Sequence, residues 1–361
     1  MRALRWLGGT AAALVLAACA VLGDLPNPSV VDNVGGDAGL DGGDAASDVT
    51  QPPADGGGDG GVDAGPVATE IVPGIRPWNL VVDDTYVYWT EPFVPHVGRA
   101  EKKDGANRTY LASGTGSAGF GAWGLALDLN YVYWVTPSAV LRCAKSGCSN
   151  APTKLADATA RHIAVDDTYA YYTDTSTMSL DRVPKGGGAA SVFATFTAKP
   201  EDVVLDGAYL YVTAGSSVIR VAVADGASKT LVTTPQINNA FYLTVALDKI
   251  YFTEFGDPAP VDFVATSGAD AGFGAVALNQ SIPFGITNDA TDLYWVAAGL
   301  PSGAFGKIVR CSKSSCNPAV LASAQNVPKM IVTDGTAIYW TNNGRNSTTY
   351  DDGAVVRMPI K

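Results

Sequence analysis

From about residue 70 onward the chain alternates apolar and polar positions in short runs, broken by Gly, Asp, Asn and Pro. The first unit of this pattern predicts four strands, over residues 79–82, 86–90, 97–101 and 109–112. The first two are rich in β-branched and aromatic residues, the last two less so. Turn residues separate them: Asp83-Asp84-Thr85 after the first strand and Lys103-Asp104-Gly105 after the third. No segment sustains a helical period over the length of a helix. The pattern therefore predicts an all-β domain of short antiparallel strands.

The unit recurs. Tyr88-Trp89-Thr90-Glu91 returns as Tyr133-Trp134-Val135-Thr136, Tyr171-Tyr172-Thr173-Asp174, Tyr211-Val212-Thr213-Ala214, Tyr251-Phe252-Thr253-Glu254, Tyr294-Trp295-Val296-Ala297 and Tyr339-Trp340-Thr341-Asn342. An Asp stands five residues ahead of the Tyr in six copies (Asp83, Asp128, Asp166, Asp206, Asp289 and Asp334); in the fifth copy Asp248 is three ahead of Tyr251. Downstream, an apolar pair precedes Arg142, Arg220, Arg310 and Arg357, with Arg99 and Arg182 in looser settings and Phe263 at that place in the fifth copy. Four strands in ~42 residues is the size of a propeller blade, so seven copies predict a seven-bladed β-propeller. The seventh copy ends at its third strand, Val355-Val356-Arg357-Met358. Thr69-Glu70-Ile71-Val72, ahead of the first copy, has the character of the fourth strands Lys154-Leu155 and Thr230-Leu231-Val232. It is expected to complete the last blade and leave the ring without an open edge.

The aromatic motif, the Asp ahead of it and Arg99…Asp104-Gly105-Ala106-Asn107-Arg108 together resemble the YWTD repeats of the low-density-lipoprotein receptor class B propellers, over nearly all of residues 70–361. The resemblance implies a propeller in which the motif residues are core and inter-blade packing. It also implies that the motif's last residue, Asp in that family, makes hydrogen bonds within the ring. Asp174 keeps it here, and Glu91 and Glu254 are its substitutes. That family has six blades, against seven copies counted here.

The N-terminus predicts export. Arg2 and Arg5, an apolar run over 11–18 and Leu16-Ala17-Ala18-Cys19 form a secretory signal too short to span a bilayer. Leu-Ala-Ala-Cys resembles the bacterial lipobox, which implies a lipidated Cys19; Ala20 rather than Asp after it favours the outer membrane. Residues 20–68 hold nine Asp and no Lys, Arg or Glu, among Gly, Ala and Pro, and read as a disordered spacer. A calcium β-roll would need a regular nonapeptide with an apolar anchor, which is absent. The expected organisation is signal peptide 1–18, lipidated Cys and stalk 19–68, propeller 69–361. The stalk carries most of the net charge of −11, and no basic patch points to nucleic acid. The membrane is engaged through the lipid alone. Cys143/Cys148 and Cys311/Cys316 are an even count in an exported chain, hence disulfides. Each pair spans the hairpin between strands three and four of its blade. A shared four-Cys zinc site is disfavoured because blades two and six are not neighbours.

Catalytic candidates are few. His96 and His162 are the only histidines, and both are expected at the surface or lining the channel. Gly114-Thr115-Gly116-Ser117-Ala118-Gly119 matches a dinucleotide fingerprint in letters but leads into a strand rather than a helix, and reads as an inter-blade loop. One constellation remains. The residue two positions before the aligned apolar residue of each first strand is Trp78, Trp123, Arg161, Glu201, Phe241, Phe284 and Lys329; the next row includes Asn79, His162, Asp202 and Tyr242. These positions ring the mouth of the channel, and aromatic platforms with a few charges suit a sugar or a peptide side chain. The competing expectation is that large residues here wedge the blades apart. The function expected is a binding or scaffolding module of the cell envelope for a peptide, carbohydrate or envelope protein, with no cofactor. The alternatives are a lyase or metal-dependent lactonase-type hydrolase, with Asn79, His162, Glu201 and Asp202 around a divalent cation in the channel, and a structural brace in an envelope complex.

Overall fold

The computed structural model describes residues 66–94, 96–113, 121–299, 305–345, 348–349 and 351–360. The signal sequence, Cys19, the acidic stalk through residue 65 and the Gly114–Gly119 segment lie outside them.

Among the described residues, twenty-eight strands form seven antiparallel sheets of four. Blade 1 is Leu80–Val82, Tyr86–Glu91, His96–Glu101 and Thr109–Ser113; blade 2 is Leu125–Leu127, Tyr131–Val135, Val140–Ala144 and Thr153–Ala156. Blade 3 runs from Ala160–Val165 to Ser191–Thr195, blade 4 from Pro200–Asp206 to Ser228–Thr233, blade 5 from Ala240–Ala246 to Phe273–Gln280 and blade 6 from Pro283–Asn288 to Ala319–Gln325. Blade 7 takes Pro328–Thr333, Ala337–Asn342 and Gly353–Pro359 from the end of the chain and Thr69–Ile75 from near its beginning. The ring has seven blades, not the six implied by the receptor repeats.

Closure is antiparallel pairing: Thr69 faces Arg357 and Ile75 faces Gly353. Ile71, Val72 and Ile75 are buried against Val87, Trp89 and Tyr339, so the closing strand packs onto blade 1 as well as pairing into blade 7. Two further ties cross the same seam, Lys102 Nζ to Asp334 at 2.8 Å and the Asn343 side-chain amide to the Pro77 carbonyl at 3.0 Å.

The repeated residues hold blades to themselves and to each other. In five blades the Asp ahead of the motif (Asp83, Asp128, Asp166, Asp289 and Asp334) accepts backbone N–H bonds two and three residues on, closing the turn between strands one and two. Its other oxygen accepts the hydroxyl of the Tyr five residues on, at 2.7–3.0 Å for Tyr88, Tyr133, Tyr171, Tyr294 and Tyr339. That oxygen in Asp83 and Asp128 also takes a lysine of the following blade, Lys145 at 3.0 Å and Lys185 at 2.8 Å. The recurrent Arg stacks on a Tyr of its own blade and reaches across: Arg99 to the Lys145 carbonyl, Arg142 to the Lys185 carbonyl and Arg220 to the Thr266 carbonyl. Both disulfides, Cys143–Cys148 and Cys311–Cys316, form at the predicted hairpins.

Candidate channel-mouth site

The motif threonines set the mouth row in place. Thr90, Thr173, Thr213 and Thr341 are fully buried at the ends of second strands. Each accepts a backbone N–H from the first strand of its own blade: Asn79, His162, Asp202 and Met330 are the donors. Each then donates its hydroxyl to the carbonyl of a mouth residue in the next blade, respectively Trp123, Glu201, Phe241 and Trp78. One hydroxyl between two blades thus registers the mouth residues against one another. Gly124 and Gly285 let adjacent first strands approach closely. A Cβ on Gly285 would lie 2.8 Å from the Lys329 carbonyl, and one on Gly124 would lie 2.6 Å from that of Arg161.

The predicted row does converge. Trp78 meets Trp123 edge to face at 5.0 Å between ring centroids and meets Phe284 at 6.1 Å. Phe284 meets Phe241 at 5.0 Å and Tyr242 at 5.4 Å. The Arg161 guanidinium lies over Trp123 at 5.1 Å. The Lys329 ammonium lies 4.1 Å from the Phe284 centroid and 5.1 Å from that of Trp78. The row is not an open ring of platforms, however. Phe241, Tyr242, Phe284 and Lys329 are buried, whereas Trp78, Trp123, Arg161, His162 and Glu201 are half-buried. One arc, blades 5 to 7, is packed as the wedge expectation has it; the arc of blades 1 to 4 keeps solvent contact.

Polar groups of the second row are bound into this packing. His162 Nδ1 lies 2.8 Å from Asp202 Oδ1, and Asp202 also accepts the Val203 N–H at 2.8 Å and the Leu243 N–H of blade 5 at 3.0 Å. Asn79 uses its side-chain oxygen on the Leu80 N–H at 2.8 Å. Burial raises the Glu201 carboxyl above its ordinary range, against the pull of Arg161, His162 and Lys199. Burial, with Asp202 adding, raises the Tyr242 hydroxyl far above its usual value. Burial also pushes Lys329 down to about 8, with the positive charge of Arg76 as the second cause. Among the described residues, no group of three or more His, Cys, Asp or Glu is arranged to hold a metal ion.

Sequence reasoning did not single out Arg76, Phe93 or Phe255. Arg76 precedes the first strand of blade 1 and lies over Phe93 at 4.3 Å; Phe255 follows the blade 5 motif and packs on Phe241 at 5.3 Å. Their signal was position, since each lies within three residues of a mouth or motif residue. A separate cleft of about 330 Å³ opens at blades 5 and 6, lined by Gln280, Phe305, Lys307, Val309 and Val320 among others.

No protein-family profile matches the chain, and no curated protein matches it. Similarity to solved structures is extensive in fold and slight in sequence. A streptogramin B lyase aligns at a TM-score of 0.64 and 13% identity, over 81% of this chain and 97% of that one. YCF48 bound to D1 peptide aligns at 0.61 and 8% identity, over 82% and 97%. The WD40 β-propeller domain of Doa1 aligns at 0.59 and 11%, over 81% and 96%. Identities this low establish the propeller and nothing about the ligand.

Proposed function

We propose that this propeller is a non-catalytic binding module of the bacterial cell envelope, anchored through a lipidated Cys19, set off by the acidic stalk, and taking a peptide or carbohydrate ligand at its channel mouth. The carrying observation is a division of labour. The motif Asp, Tyr, Thr and Arg residues are engaged in turns and inter-blade bonds, while Trp78, Trp123, Arg161 and Glu201 repeat no motif and retain solvent contact at one mouth. Half-buried indoles beside a guanidinium are the groups that recognise a flat or extended ligand. The motif's likeness to receptor YWTD repeats supports a recognition role.

The test is a peptide and glycan array screen of the full chain beside its Trp123→Ala variant. The variant should weaken every genuine binder about 5- to 150-fold, as removal of an aromatic anchor does. Binders indifferent to both Trp123→Ala and Arg161→Ala would move the site elsewhere, and an array without binders would remove the reading.

A second reading, an enzyme of the lyase or lactonase type, rests on His162 and Asp202. Two backbone N–H groups orient the carboxylate, which in turn holds His162 Nδ1. That is the support a general base needs. Turnover of a lactone panel by the native chain, lost in His162→Asn, would replace the binding reading with this one.

A further inference from the structure

Lys329 is 8% exposed: its ammonium is largely desolvated but keeps a narrow contact with solvent, and no carboxylate or carbonyl among the described residues bonds to it. Buried lysines are ordinarily paired, because desolvating an unpaired ammonium costs several kcal/mol. Here the nearest groups are the faces of Phe284 and Trp78, contributed by the blades on either side of blade 7. Two cation–π contacts offset only part of the cost. The charge that most affects Lys329 is a second cation, Arg76, which adds to the strain instead of relieving it. The carboxylates of the mouth are engaged on the other side, Asp202 with His162 and Glu201 in the field of Arg161. Among the described residues the site therefore lacks a counter-ion at one defined point, beside half-buried Trp78 and Trp123.

From this unpaired ammonium and its aromatic walls, we propose that the mouth binds a carboxylate carried on an apolar body, the carboxylate pairing with Lys329 and the body lying on Trp78 and Trp123. The inference rests on the binding-module reading and narrows it to a ligand class. A neutral ligand would leave Lys329 unpaired, and a cationic one would meet Lys329 and Arg76 as like charges. A carboxylate supplies the absent acceptor and gains most from doing so in a low-dielectric setting. Two sources share this chemistry, the C-terminal apolar residue of a peptide and a uronic acid, whose C–H face supplies the apolar surface.

The experiment is calorimetric titration of the full chain at pH 7 with phenylacetate, phenylacetamide and phenethylammonium, three probes of one size and three charges. Phenylacetate should bind at least tenfold more tightly than the amide, and the ammonium more weakly still. Lys329→Met keeps the packing volume, removes the charge and should level acid and amide. N-acetylphenylalanine against glucuronate then separates the peptide source from the sugar source. Equal binding of acid and amide by the native chain, or a preference for the ammonium, would overturn the proposal even if the variant fails to fold. No binding of any probe alongside array hits at the mouth would overturn it while leaving the binding module standing. Absence of both would take the broader reading with it.

Discussion

At the residue scale, the same letters do different work on the two arcs of the mouth. Phe284 is 2% exposed and touches Phe241, Tyr242, Trp78 and Lys329, whereas Trp123 is half-buried. Phe284→Ala should therefore cost about 3–5 kcal/mol of stability, the usual price of a core cavity this size. Trp123→Ala should cost clearly less, and thermal melting of the two variants checks the asymmetry. A second residue prediction concerns blade 5, where Glu254 and Asp262 are both buried side by side. Burial, then the Glu254 carboxyl, raises Asp262 to about 8. An unfolded Asp titrates near 4, so the folded protein binds the extra proton between these values. Stability therefore falls as pH rises from about 4 to about 8. Asp262→Asn abolishes that titration. It should raise stability at pH 8.5 by about 1–3 kcal/mol and change it little near pH 4, which denaturant melts at the two pH values would show. The three acidic residues at the motif's last position have one structural task. Asp174, Glu91 and Glu254 accept the backbone N–H of Thr159, Arg76 and Asn238, fifteen or sixteen residues upstream, pinning the loop that leads into each blade.

At the element scale, each blade is built from local patterns, and the Asp turns of four blades respond to acid in the opposite sense to the Asp262 carboxyl of blade 5. The Asp turn between strands one and two gathers backbone N–H groups, a Tyr hydroxyl and a lysine. Despite the cost of burial, these partners hold Asp128 at about 2 and keep Asp83, Asp289 and Asp334 below their ordinary range as well. Their contribution is present above pH ~4 and disappears as pH falls through the lowered values. Asp128→Asn should be less stable than the native chain at pH 7, and the difference should shrink by pH 2, as denaturation at the two pH values would report. The disulfides act on the hairpins alone. Each closes a loop of only five residues' separation, worth about 2 kcal/mol through the unfolded chain. The strands, the Asp–Tyr spacing and the hairpin cysteines were legible in the sequence because all are interactions within one blade. The predicted strands of the first unit differ from those observed by one residue at an end. The buried Glu254–Asp262 pair was not legible, because it depends on register: Phe252 faces Asp262 across the strands, bringing Glu254 beside it.

At the scale of the whole molecule, stability turns on one seam. Removing residues 1–68 should leave the melting temperature nearly unchanged, since half-buried Ala68 is the one residue of that segment packed on the core among the described residues. Removing four more deletes Ile71 and Val72, both buried, and with them the pairing to Val355 and Val356. Two such side chains are worth about 3–6 kcal/mol together, so equal melting of the two truncations would refute closure as the stabilising event. Anchoring has its own test: Cys19→Ser should move the protein from the membrane fraction to the soluble one, and a variant still bound would remove the lipobox reading. The sequence by itself determined the blade, and pointed to seven copies and to residues 69–72 completing the last one, because a period-two pattern and turn residues are read locally and repetition multiplies them; the structure fixed the count at seven and the pairing. It also named a row of positions whose side chains meet across the blades. Only the tertiary structure decided which of them are buried and what each one touches. Trp78, Phe284 and Lys329 come from blades 1, 6 and 7, and ring closure brings together residues some 250 positions apart in the chain. A lysine that reads as one more solvated charge in a row of seven becomes, inside the closed ring, an ammonium between two aromatic faces with no acceptor among the described residues. Packing between blades creates that environment, and no single repeat encodes it.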